Sequence, residues 1–224
     1  MEIIAEITPT PHRDLFLKRL QMLKPLVSMV DIPESPLGRP TAHALAAGAL
    51  ARQMGLEPIV HIRLLDLNKT GLKSLLGGAK LLDITHVVLL QGDPPTEGTP
   101  VRDVTTEEAV AEAKKTGLKA GALLSLRRDY KRRLEMRADF YLALHFRDVT
   151  QLLELPPVIY PYIIVKTEKN SPLVEKMGQE ATTPQEAAQL AKRLEGVAPG
   201  VVISAPGDFD AMLQVVARLK KRHS

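Results

Sequence analysis

Hydrophobic residues follow two rhythms that take turns along the chain. Short apolar runs without alternation, such as Val87-Val88-Leu89-Leu90, give way to longer stretches with apolar residues three and four apart, such as Leu15, Phe16, Leu20 and Leu23. The first rhythm marks strands buried on both faces, and the second marks helices with one buried stripe. The runs predict strands at residues 3–9, 26–30, 58–65, 119–126, 140–146, 158–167 and 201–205. A further strand starts at His86 and is stopped by Pro94 and Pro95, which cannot continue a ladder. Helical spacing covers residues 12–24, 41–54, 69–82, 130–136 and 209–220, with a shorter turn at 150–155. Two capping boxes, Thr105 with Glu108 and Thr183 with Glu186, open helices that run to about Gly117 and Leu194. Gly55 reads as a helix stop, and Gly77-Gly78 as close packing of a helix on the sheet.

Strict alternation of strand and helix implies an α/β protein with a parallel sheet. Eight units in 224 residues predict a single (β/α)8 TIM barrel, one domain over 1–224. A doubly wound open sheet is the alternative. Its first turn would be Thr8-Pro9-Thr10-Pro11, which has no glycine-rich phosphate fingerprint.

Composition narrows the chemistry. The chain has no cysteine, which excludes disulfides, zinc–thiolate sites, iron–sulfur clusters and thiol nucleophiles. No apolar run reaches the roughly 20 residues of a membrane span and no signal peptide is visible, so a cytoplasmic protein without membrane contact is expected. Net charge is +4, with basic clusters at Arg127-Arg128, at Lys131-Arg132-Arg133 and at Lys220-Lys221-Arg222-His223. No aromatic residues interleave with them, so nucleic acid is not an expected partner.

In a barrel, the carboxyl ends of the strands share one mouth. Those ends offer Glu6, Asp31, His61, Arg63, Asp66, Gln91, Asp93, Ser125, Arg127, His145, Lys166 and Ser204. Glu6 sits in the apolar run Ile3-Ile4-Ala5-Glu6-Ile7. Inside a barrel its pKa rises and it becomes a general acid near neutrality; pairing with an arginine would make it structural instead. Gly92 allows a close backbone approach and Asp93 follows it at the strand end. No second histidine stands at a metal-ligand spacing from His61, so no metal is expected. Lys166 suits Schiff-base chemistry or an anion anchor. Gly207 precedes the last helix, but Asp208 and Asp210 oppose phosphate there.

The stretches Asp31-Ile-Pro-Glu-Ser-Pro-Leu-Gly38-Arg39-Pro40, His61-x4-Asp66-x-Asn68, Leu72-Lys-Ser-Leu-Leu-Gly77-Gly78-Ala79, Gln91-Gly92-Asp93-Pro94-Pro95 and Val101-Arg-Asp-Val-Thr stand in an order that resembles methylenetetrahydrofolate reductase. The likeness holds to about Thr106 and thins beyond it. It implies a barrel that binds FAD, with FMN the alternative, and that reduces 5,10-methylene-tetrahydrofolate or a related tetrahydropterin to the 5-methyl form. By the same resemblance, Glu6 is the general acid and Asp93 lies between flavin and pterin. His61, Gln91, Gly92, Arg132 and Arg133 meet the flavin, and His145 and Lys166 join Glu6 and Asp93 at the substrate. NAD(P)H or a redox protein would donate the electrons, and a homo-oligomer is compatible. Three positions depart from the family: Gln91 replaces its arginine, Ser125 its strand-five aromatic, and Leu144 its strand-six glutamine. These departures motivate an alternative, a folate- and flavin-binding subunit that needs a partner for electron input. An unrelated lyase acting through Lys166 is a third reading.

Overall fold

A computed structural model describes residues 1–127 and 130–221. Arg128, Arg222 and His223, named above in the basic clusters, lie outside the described residues. Nine parallel strands form one sheet. They are β1 (Glu2–Glu6), β2 (Met29–Ile32), β3 (Glu57–Arg63), β4 (His86–Leu90), β5 (Lys119–Ser125), β6 (Phe140–Leu144), β7 (Ile159–Val165), β8 (Ala181–Thr182) and β9 (Gly200–Ser204). Strands β1 to β6 neighbour one another in order, β9 lies between β1 and β7, and β6 pairs with β7, so eight strands close a barrel. The two-residue β8 adds to the end of β7 beside Ile164 and Val165. The predicted (β/α)8 barrel is therefore the observed fold.

Period-two alternation sorts each strand into two faces. Ala5, Val30, Val60, Val87, Ala122, Ala143, Ile163 and Ile203 point outward and are buried under the helices. Ile4, Ile59, Val88, Phe140, Leu142, Tyr162, Ile164 and Val202 point inward and pack against one another. The helices α1 (Arg13–Leu23), α2 (Ala44–Gln53), α3 (Lys69–Leu81), α4 (Thr106–Lys115), α5 (Tyr130–Leu134), α6 (Ser171–Met177), α7 (Pro184–Arg193) and α8 (Phe209–Lys220) surround the sheet. The longer helices bury a stripe such as Phe16, Leu20 and Leu23 on α1, worth roughly 1.5–3 kcal/mol per large side chain, whereas the five-residue α5 buries none.

The amino-terminal end of the barrel is filled with rings. His86 meets Phe140 edge-on at 5.8 Å between centroids, and Phe140 meets Tyr160 at 6.2 Å. A Cβ at Gly121 would lie 2.4 Å from the Phe140 ring, so glycine makes room for this floor.

Both predicted capping boxes form, at α4 and α7. Several boundaries differ from the pattern reading. Strand β2 starts at Met29, not at 26, because the Leu26 and Val27 amides bond back to the Leu23 carbonyl and close α1. Its end moves forward accordingly, and Asp31 becomes a strand residue. The predicted strand at 58–65 stops at Arg63, and Leu64–Asp66 turn into a 3-10 helix. Gly78 meets Leu45 on α2 and Gly77 faces open space, so this pair serves a helix–helix contact and not the sheet. Helix α6 and strand β8 were not legible in the periodicity.

Candidate functional site

The inward parity of β1, β2, β3, β7 and β9 carries Glu6, Asp31, His61, Tyr162 and Ser204 into the carboxyl-terminal half of the barrel. Glu6 and Asp31 are register partners on adjacent strands. Asp31 is fully buried, and His61 and Tyr162 are each 5% exposed. A carboxylate in that setting must be satisfied by donors. Tyr162 donates its hydroxyl to one Asp31 oxygen at 2.5 Å, and His61 Nε2 lies 2.8 Å from the other. Because a carboxylate only accepts, the His61 proton sits on Nε2. Ser204 donates to Glu6 Oε1 at 2.5 Å.

These neighbours set opposite protonation tendencies. Burial, then the Asp31 charge, raises the Glu6 carboxyl from 4.5 to about 7, against the lowering effect of Ser204 and His61. Burial acts on His61 in the other direction, but Asp31, Glu6 and Glu34 together hold it above its ordinary 6.5. Burial and the same two inner carboxylates push the Tyr162 hydroxyl well above 10. The cluster thus holds the Glu6 proton up to about pH 7 and favours protonation of His61 beyond that of a free imidazole.

Above the cluster opens a cavity of about 700 Å³. Glu6, Glu34, His61, Tyr162, Gln91, Gly92, Asp93, Ser125, Arg133 and His145 all line it. Among the sequence candidates the fold therefore brings together Glu6, His61, Gln91, Gly92, Asp93, Ser125, Arg133 and His145. Asp93 is exposed at the rim, and its carboxylate makes no hydrogen bond or ion pair with another described residue. Gln91 spends its amide on the Val104 carbonyl, 3.0 Å away, and so ties β4 to the segment before α4. Gly92 has φ +86, and a Cβ there would sit 2.7 Å from Arg63 Nη1. Arg63, buried and paired through two nitrogens with Asp66, donates to the Asp93 carbonyl at 2.7 Å. A cation thus reaches the corner where Gln91 stands, but from β3 and with its charge matched. His145 adopts φ +59, uncommon for a residue with a side chain, with Nδ1 2.9 Å from Ser125 Oγ.

Two candidates are placed differently. Lys166 pairs with exposed Glu175 at 2.8 Å and lies outside the cavity lining, because β7 already ends at Val165. Arg132 is exposed on α5 and does not line the cavity, although Arg133 beside it does. Asp31 was read as lying beyond its strand and Tyr162 was not singled out. The alternation Met29/Asp31 and Tyr160/Tyr162/Ile164 is the signal that places both inside. Among the described residues no group of three or more His, Asp or Glu side chains could hold a metal ion, and no helix is long and apolar enough to cross a membrane.

No protein-family model matches the chain, and no curated protein matches it. Solved structures do. An uncharacterised protein from Clostridium thermocellum, described as binding two copies of 5-methyl-5,6,7,8-tetrahydrofolic acid, superposes with a TM-score of 0.72 at 10% identity, over 99% of this chain and 94% of that one. Tryptophan synthase from M. tuberculosis gives 0.63 at 13% identity, over 98% and 91%. A GH18 chitinase from Pseudoalteromonas aurantia gives 0.56 at 10% identity, over 98% and 100%. Such different activities at such low identity show a shared barrel and leave function to the site.

Proposed function

We propose that the chain is a flavin-dependent reductase of a methylene-bearing tetrahydropterin, with 5,10-methylene-tetrahydrofolate and its 5-methyl product as the reading the site supports best. One observation carries it: Glu6, a carboxyl that holds its proton to about pH 7, borders the cavity that Asp93 also lines. The folate-binding barrel of similar shape adds support. In this reading Glu6 donates its proton to the ring nitrogen that leaves the methylene carbon, and the five-membered ring opens to an iminium. The resulting Glu6 carboxylate and Asp93 then stabilise the positive charge that has developed.

The residues present fit a flavin. Gly92 lies on the cavity wall, and a recess of about 430 Å³ meets the cavity at Gln91 and Arg133. Arg102, Arg133, Thr105 and Thr106 line that recess and suit phosphate oxygens, and the Glu107 carboxylate lines it as well. Asp103 is there too, with one carboxylate oxygen 2.7 Å from the Lys69 amide that it accepts from. When bound, a flavin supplies the hydride, and the chain binds, orients and excludes water.

The purified protein should be yellow, or take up FAD or FMN. A colourless protein that binds neither would remove the proposal. Glu6→Gln should lower methylene reduction by at least a hundredfold, the scale of a lost general acid, while flavin reduction by NAD(P)H or a redox protein stays near native. Stopped-flow measurement of the two half-reactions separates these outcomes.

A further inference from the structure

A second cavity, of about 370 Å³, lies beside the central one, and Glu6 borders both. The two cavities share part of their lining, since Pro33, Pro36 and Leu37 of the loop after β2 border both. Two residues of that loop, Ser35 and Leu37, hold left-handed backbone at φ +42 and +57. Non-glycine residues keep such angles only where their surroundings impose them.

The second cavity has an apolar body and a cationic edge. Ile7, Leu173, Phe209 and Met212 form the body, and Arg19 and Arg39 stand at the edge. The Arg19 guanidinium lies 5.1 Å from the centre of the Phe209 ring. Neither arginine side chain has a hydrogen bond or ion pair to another described residue. Of the two carboxyls on this lining, Glu6 accepts from Ser204, and Asp208 is engaged by Thr167, Lys169 and the Ala211 amide. The unmatched charge in the recess is therefore positive.

We propose that this second cavity receives the aroyl-glutamate end of a folate whose pterin occupies the central cavity, with the aromatic amide among the apolar side chains and the carboxylates at Arg19 and Arg39. The inference rests on the folate reading above and extends it to the tail of the substrate. A neutral apolar ligand would leave both arginines unmatched, and a phosphate would make no use of Phe209, Leu173 and Met212. An aromatic group that ends in carboxylates uses both halves. Because Glu6 borders both cavities, such a ligand would run past the general acid.

Calorimetric titration of the full chain tests this with three probes: 5-methyltetrahydrofolate, its analogue with both glutamate carboxylates as amides, and 6-methyltetrahydropterin, which has no tail. Replacing Arg19→Gln and Arg39→Gln together should weaken the acid about tenfold or more, the scale of losing charge-assisted pairs. The diamide and the tail-less pterin should bind both proteins alike, which also shows that the variant is folded. The proposal falls if the double variant binds the acid as tightly as the native chain, or if the diamide matches the acid on the native chain. In either case the folate reading survives, because the acid still binds. If the native chain binds none of the three probes, both fall.

Discussion

At the scale of the residue, the site depends on one acid controlling another. Asp31 never reaches the cavity, yet it holds His61 and Tyr162 and faces Glu6 across one strand step. Replacing Asp31→Asn removes a negative charge from beside Glu6, so the Glu6 carboxyl should titrate below about 7. The alkaline limb of a kcat–pH profile, where a required general acid loses its proton, or the carboxyl band in an infrared titration, would record the shift. An unchanged midpoint would show that burial alone sets the Glu6 proton. Glu6 was legible because a carboxylate inside an apolar strand is costly without a purpose. Asp31 was legible as a strand-end residue but not as an inward-facing one, since the apolar pair Leu26-Val27 drew the strand start three residues early and left the aspartate just past its end. Asp93 and Gln91 were legible by position, but the use of the Gln91 amide on Val104 depends on a contact 13 residues away.

At the scale of the element, the cavity wall is made by two loops that hold each other. The Thr96 amide and hydroxyl both donate to the Gly38 carbonyl, at 2.9 and 3.1 Å. Gly38 has φ +71, and a Cβ there would lie 2.0 Å from the Pro94 carbonyl oxygen. Gly38→Ala should therefore cost about 2–4 kcal/mol, since backbone strain and a backbone clash act together. Urea titration measures the loss, and a loss below about 0.5 kcal/mol would mean that the clamp yields freely. Elements with strong local signals were readable: the capping boxes at Thr105 and Thr183 state where α4 and α7 begin. Helix α6, of seven residues, and β8, of two, are held by tertiary contacts and carry too short a pattern to announce themselves.

At the scale of the whole molecule, the closed barrel was legible because eight apolar runs alternate with amphipathic helices, a rhythm that no loop length disturbs. Burying titratable groups in it has a cost that depends on pH. Glu6 and His61 both have folded pKa values above their ordinary ones. Their contribution to stability is thus full below the unfolded values and is lost as pH rises, for Glu6 between about 4.5 and about 7. Relative to the native chain, Glu6→Gln should gain stability at pH 8 over pH 5 by roughly 1–3 kcal/mol. Thermal melts at the two pH values would show a differential of several degrees, and parallel shifts would refute it. The ring floor of His86, Phe140 and Tyr160 has a separate, kinetic meaning. It leaves the barrel open at one end, so whatever enters must leave by the same door. On the proposed reductase reading, a single door means taking turns: a spent electron donor clears the mouth before the pterin arrives. Steady-state rates measured against both substrates would then give parallel reciprocal plots, the signature of taking turns.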